Sequence, residues 1–339
     1  MTNSNTTPLL EVKNLQKYFP IRKGFFRKTV GNVRAVDDVS FFVNEGETLG
    51  LVGESGCGKT TTARCILRAM APTSGEMLFR AKDGHTVDLA KLNRRELHPL
   101  RSQMQMIFQD PYGSLNPRMN LFDIVGEPLL VNGMTNRKER EQRVAELLRL
   151  VGMRPEYMQR FPHAFSGGQR QRIGIARALS VNPRLVVADE PISALDVSVQ
   201  AQILNLMLDL QKRLNLTYLF VAHNLGVVKH ICDRVAVMYV GKLVEMATTE
   251  ELYRSPKHPY TAALLAAVPV PDPRVKTGNV ELKGEVPSPA KPPSGCYFHP
   301  RCEHAVDICR TQAPAFRETS PNHYVSCHRA DELKLPGIA

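Results

Sequence analysis

Three short stretches of this chain carry residues whose types and spacing suit phosphate chemistry. Gly53-Glu54-Ser55-Gly56-Cys57-Gly58-Lys59-Thr60 fits the pattern G-x-x-x-x-G-K-[ST] at every position. Its glycines let backbone N–H groups close around phosphate oxygens, Lys59 reaches the β and γ phosphates, and Thr60 offers a hydroxyl to magnesium. Cys57 stands where the loop mainly needs a small side chain, although a thiol near a helix start can also be reactive. Leu185-Val186-Val187-Ala188-Asp189-Glu190 is an apolar run ending in two acids. That arrangement suits an Asp that holds the magnesium and a Glu that polarises the attacking water. In Phe165-Ser166-Gly167-Gly168-Gln169-Arg170-Gln171-Arg172 a capping serine and two glycines open a helical stretch, which makes a second helix end able to take an anion.

The elements around these residues must hold them at one edge of a sheet. Thr48 to Val52 is a short apolar run entering the glycine-rich turn, and Thr60 to Met70 has helix-forming composition, so strand, loop and helix follow in order. Leu185 to Ala188 and Tyr218 to Ala222 are apolar throughout, as parallel strands covered on both faces are. Arg137 to Val151 and Val199 to Leu214 repeat apolar residues at helical spacing and read as covering helices. Leu9 to Glu47 alternates like an antiparallel start, broken by the basic and aromatic insert Arg22 to Lys28, which reads as a solvated loop. Val235 to Val240 and Lys242 to Met246 flank Gly241 as a hairpin. Seven prolines between Pro269 and Pro293 forbid continuous helix or central strand and predict a linker to a small tail.

Bulk composition bounds the reading without choosing it. At 339 residues the chain can hold one large domain plus an extension, and 43% apolar with 23% charged residues suits a packed core. The net charge of +11 suits nucleic acid, an anionic membrane surface or a polyphosphate ligand. No apolar run approaches the roughly 18 residues of a membrane-spanning helix, and Met1 to Leu10 lacks the regions of a secretory signal, so a cytoplasmic protein is expected. Cys57, Cys65 and Cys232 are scattered, the last two as simple core residues, whereas Cys296, Cys302, Cys309 and Cys327 crowd the tail. In a reducing compartment such crowding favours metal or cluster ligation over disulfides.

The order Ser-Gly-Gly-Gln, acid-ended strand, Ser193-Ala194-Leu195-Asp196 and His223 resembles the ATP-binding-cassette family across roughly residues 10 to 250. The resemblance implies an α/β phosphate-loop NTPase (RecA-like) core with an antiparallel β subdomain and an α-helical signature subdomain at about 112–182. Residues 1–253 would form this nucleotide-binding domain. It further implies that ATP is held by Phe19 or Tyr18 stacked on adenine, with Phe19 favoured, by Gly53, Glu54, Ser55, Gly56, Cys57, Gly58, Lys59, Thr60 and Thr61, and by Gln109, Asp189 and His223. Thr60, Gln109 and Asp189 would bind Mg2+. Glu190, His223, Gln109 and Lys59 would be the catalytic set, with Gln109 also linking nucleotide to the membrane partner. Asp196 would be the acid of the D-loop, and Ser166, Gly167, Gly168 and Gln169 would serve the ATP of a partner chain. Asn224 follows the histidine where many family members carry Asp.

A narrower resemblance places the chain among oligopeptide, dipeptide and nickel importer ATPases. It rests on Ser255-Pro256-Lys257-His258-Pro259-Tyr260-Thr261 through Pro269, on Gly284-Glu285-Val286-Pro287-Ser288-Pro289, and on Asn116-Pro117-Arg118. It implies the second ATPase of a peptide system, heterodimeric with a homologous ATPase and seated on two permease subunits, with an extracytoplasmic binding protein beyond them. The place would be the cytoplasmic face of the inner membrane, with residues 254–339 as a C-terminal extension. Import of nickel, glutathione or a sugar conjugate is the alternative, and a soluble cassette ATPase acting on nucleic acid is a more distant one, because no nucleic-acid-binding module is recognisable. Some importer ATPases of this type carry a [4Fe-4S] cluster in the tail, which makes Cys296, Cys302, Cys309 and Cys327 candidate ligands. Their spacing matches neither zinc ribbons nor ferredoxin runs, and zinc is the alternative because His299, His304, His323 and His328 stand nearby.

Overall fold

The computed structural model describes residues 8–268 and 284–338. Pro269, Pro271 and Pro273 of the expected linker lie outside them. The chain opens with a long hairpin, β1 (Leu10–Lys23) and β2 (Lys28–Val43), then enters β3 (Thr48–Val52) and α1 (Lys59–Ile66). Next come β4 (Ser74–Arg80), β5 (Thr86–Asp88), α2 (Arg94–Arg101) and β6 (Met104–Ile107). Three helices follow: α3 (Leu121–Val131), α4 (Arg137–Leu150) and α5 (Gly167–Leu179). The chain then alternates through β7 (Leu185–Asp189), α6 (Val197–Leu214), β8 (Thr217–Ala222) and α7 (Leu225–Ile231), and closes the hairpin β9 (Arg234–Tyr239) and β10 (Lys242–Thr248). Beyond it lie α8 (Thr249–Arg254), α9 (Pro259–Ala266), α10 (Asp307–Thr311), β11 (Arg317–Ser320) and β12 (His323–Val325).

The main sheet runs β11-β12-β10-β9-β3-β8-β7-β6, with parallel pairing from β9 through β6 and antiparallel pairing outside it. Every residue of β3, β7 and β8 is buried, as their unbroken apolar runs require. Alternate residues feed two cores on opposite faces. Leu185, Val187, Leu219 and Val221 join the core beneath the antiparallel sheet β2-β1-β4-β5, while Val186, Ala188, Tyr218 and Phe220 join the core beneath the helices. The helices α3 and α4 start at asparagine caps, Asn120 and Asn136, and α5 at Ser166.

Three expectations need adjusting. The helix after the phosphate loop stops at Ile66 rather than Met70: Arg68 turns into the left-handed region (φ 50°) and Pro72 follows. The basic insert keeps an exposed turn at residues 24–27, with Phe25 and Phe26 at 97% and 92% exposure, but its ends are strand, Arg22 opposite Thr29 and Lys23 opposite Lys28. The tail is knit into the main sheet, since β12 pairs with β10 at Glu245–Val325 and Met246–Tyr324. No helix among the described residues is long and apolar enough to cross a membrane.

Candidate nucleotide site

Where β3 meets α1, the phosphate loop is shaped by backbone that side chains would obstruct. At Gly53 (φ 150°) an added Cβ would stand 2.2 Å from the Met238 carbonyl oxygen, and at Gly58 (φ 111°) it would stand 2.1 Å from that of Ala35. Lys59 is buried, and its Nζ donates to the carbonyls of Gly53 (2.7 Å) and Glu54 (3.0 Å). Cys57 is buried beside it, and burial pushes its thiol up, which suits the small-residue reading.

The acids at the end of β7 sit against this loop. The Thr60 hydroxyl donates to Asp189 Oδ1 at 2.9 Å. Burial, and after it the negative charge of Glu190, push the Asp189 carboxyl above the usual carboxylate range, against the pull of the Thr60 hydrogen bond. A buried carboxylate and a hydroxyl side by side are the oxygen donors that a hard divalent cation takes, and such a cation would reverse that upward push. Glu190 follows with φ 45°, an uncommon backbone conformation for a residue with a side chain. Its Oε2 accepts from Gln109 Nε2 (3.0 Å) and lies 3.1 Å from His223 Nδ1. Glutamine from the end of β6, glutamate from β7 and histidine from β8 thus converge on one oxygen. Asn224, the departure from the family pattern, caps α7 by accepting from the Gly226 N–H at 2.9 Å.

Ser55, Gly56, Gly58, Lys59, Thr60 and Thr61 line a cleft of about 480 Å3, together with Gln109, Glu190 and His223. Val33 and Ala35 of β2 form its far wall. Phe19 lies opposite Val33 in the β1–β2 register and so shares its face, with Lys17 Nζ 5.1 Å from its ring. The Tyr18 hydroxyl donates instead to the Asp37 carboxylate, which also accepts from the Tyr297 hydroxyl at 2.8 Å. The pairing of β1 with β2 shifts register between Lys17 and Tyr18.

Ser166, Gly167, Gly168 and Gln169 do not line this cleft. They form the first turn of α5, where Ser166 and Gln169 satisfy each other's backbone N–H groups (3.4 and 3.1 Å). Asp196 is exposed at the start of α6.

Residues from the far end of the chain also reach the cleft, which sequence reading missed. Pro289 lines it and accepts from the Arg34 N–H at 3.0 Å, and Arg301 pairs with Glu54 of the phosphate loop. No local pattern signals contacts across such separations.

Cys296, Cys302, Cys309 and Cys327 line one small cavity, with His299, His304 and His328 on its wall, and none is in a disulfide. Burial, with the neighbouring thiols, pushes Cys296 up to about 12 and Cys327 up to about 11. No group of three or more His, Cys, Asp or Glu among the described residues is gathered closely enough to hold a single metal ion. His323 is turned away, buried against Glu245 Oε1 at 2.7 Å.

Residues 36–193 match the family "ABC transporter", and residues 244–309 match "Oligopeptide/dipeptide transporter, C-terminal region". The chain is 54% identical over 330 residues to the Oligopeptide transport ATP-binding protein AppF of Bacillus subtilis, spanning 97% of this chain and 99% of that one. It is 52% identical to the Probable peptide ABC transporter ATP-binding protein y4tS of Sinorhizobium fredii, over 94% of this chain and 89% of its relative. Among solved structures, the dimeric post-hydrolysis state of the ATP-binding cassette MJ0796 bound to ADP and Pi superposes with a TM-score of 0.61 at 27% identity, covering 71% of this chain and 98% of that one. The cbiO1 protein of Clostridium perfringens, part of the cbiONQ transporter complex, gives 0.60 at 26%, over 73% and 90%.

Proposed function

The chain belongs to the ATP-binding-cassette transporter family, as an ATP-binding subunit of the oligopeptide and dipeptide type, and we propose that its ATP hydrolysis powers a peptide importer. The observation that carries the hydrolytic part is the convergence of Gln109 and His223 on one oxygen of Glu190, beside a phosphate loop whose Thr60 touches Asp189. Peptide as cargo rests on the relatives, which are peptide-transport ATP-binding proteins by name.

In this reading the loop N–H groups and Lys59 hold the phosphates, and Phe19 stacks on adenine while Val33 and Ala35 wall the base. Thr60, Asp189 and Gln109 would hold Mg2+, which supplies charge neutralisation of the phosphates when bound. Glu190 orients the attacking water and draws on its proton, and His223 stands over the γ phosphate. Ser166 to Gln169, absent from this cleft, would close the cleft of a second, homologous ATPase, with Asp196 at the same junction. Two permease subunits would receive the motion through the Gln109 segment at the cytoplasmic face of the membrane, with an external binding protein delivering peptide. Residues 1–253 act as the nucleotide-binding domain in this scheme and 254–339 as its extension. The complex purified with its permeases and second ATPase should hydrolyse ATP faster when peptide-loaded binding protein is added. A rate indifferent to peptide would remove peptide import.

The finer reading of the tail is a [4Fe-4S] cluster on Cys296, Cys302, Cys309 and Cys327. Four free thiols on one cavity support it. A cluster also spans more room than a single ion, so it tolerates wider sulfur spacing. Anaerobically purified protein should be brown with about four irons per chain. Colourless protein, or stoichiometric zinc, would exclude the cluster.

A further inference from the structure

Glu54 is the second residue of the phosphate loop, and the chain beyond the nucleotide-binding core holds it by both backbone and side chain. Its N–H donates to the Tyr260 hydroxyl at 2.9 Å. Its carboxylate takes both arms of one guanidinium, from Arg301 Nη1 at 2.9 Å and Nη2 at 3.2 Å. The Arg301 side chain is 5% exposed, and Nη1 also reaches the Tyr239 hydroxyl at 3.4 Å. Arg301 ends a three-residue turn, His299–Arg301, whose preceding Phe298 packs edge-on against Tyr239 at 5.2 Å and beside Tyr260 at 5.4 Å. The guanidinium is therefore fixed by its own surroundings before it meets the loop. The next residue, Cys302, faces the cysteine-lined cavity.

We propose that Arg301 is a positioning residue for nucleotide binding: by gripping Glu54 it keeps the phosphate loop in its open, phosphate-ready shape. The inference rests on the phosphate-loop reading. A loop with glycines at positive φ has many alternative conformations in a free chain, and affinity suffers if ATP itself must select one. A planar two-armed contact fixes the orientation of the carboxylate as well as its distance, which a lysine cannot do. Lys59 also holds the Glu54 carbonyl, but its ammonium is the group that nucleotide phosphates engage, so Arg301 and Tyr260 are the anchors left to the loop when ATP is bound. The residues that grip the loop thereby join the cysteine cavity to the nucleotide cleft.

ATP affinity of the full-length chain, read by titration with a fluorescent ATP analogue, and KM and kcat of the assembled transporter test this. Arg301→Met and Glu54→Gln should each weaken ATP by roughly tenfold, raise KM and leave kcat near the parent value. The double variant should be no worse than the weaker single, because both remove the same contact. Arg301→Lys should fall between. Affinities within about twofold of the parent, effects that multiply in the double variant, or a loss in kcat with KM unmoved would each overturn the role. Should Arg301→Met fail to fold, Glu54→Gln and Arg301→Lys decide by the same criteria. A parent chain that binds no ATP would instead sink the phosphate-loop reading.

Discussion

At the scale of single residues, the proposed mechanism concentrates its chemistry on Glu190. Its Oε2 is shared by Gln109 and His223, and its backbone sits at φ 45°, so the carboxylate is aimed by three strands rather than by its own turn. Glu190→Gln keeps the shape and the Gln109 neighbour while removing the base. ATP binding should survive, and turnover of the assembled complex should fall by about two to four orders of magnitude. Hydrolysis at the parent rate would take Glu190 out of the mechanism. Glu190 was legible because it closes a contiguous apolar run that ends in two acids, whereas Gln109 and His223 were reached through the family resemblance. Arg301 was not legible, because it meets Glu54 across 247 positions and no local pattern encodes that meeting.

At the scale of elements, the parallel strands announced themselves by unbroken apolar runs, since both of their faces are covered. The tail strands did not. Residues 317–320 (Arg-Glu-Thr-Ser) and 323–325 (His-Tyr-Val) are short and largely polar, and they are strands because the open edge of β10 offers β12 a partner and β12 in turn offers one to β11. The start of α5 invites a separate test. Ser166 caps that helix and lies outside the cleft of its own chain, so Ser166→Ala should cost about 1 kcal/mol of stability and leave ATP affinity of the isolated chain unchanged. Turnover of the assembled pair should drop. Weakened ATP binding by the lone chain would place α5 at its own nucleotide instead.

Across the whole molecule, stability should depend on pH through His258, which caps α9 and is buried among α9, β10 and the cysteine segment. Its Nδ1 accepts from the Tyr260 backbone N–H, the His258 backbone N–H donates to Glu245, and Phe298 lies against its ring. Burial holds its pKa down to about 3, whereas an unfolded chain has it near the ordinary value of about 6.5. Below that ordinary value the unfolded chain binds a proton that the folded chain refuses. Stability from this group is therefore complete above about pH 6.5 and declines by up to about 1.4 kcal/mol per pH unit until about pH 3. Because Asn keeps the cap, His258→Asn should unfold with a visibly flatter pH dependence between about pH 6.5 and 5 in denaturant titrations. An unchanged slope would mean that His258 is protonated in the fold.

The strand order also sets a timetable. The outer edge of β10 is covered by β12, and β12 by β11, yet β10 is synthesised well before either. While residues 317–325 are still being made, that edge shows its unpaired N–H and C=O groups to any neighbour, the condition under which chains add strands to one another. The interval between finishing β10 and adding β12 is thus a period of aggregation risk for the chain. A protease cut within residues 284–316 that released the last strands would reopen it.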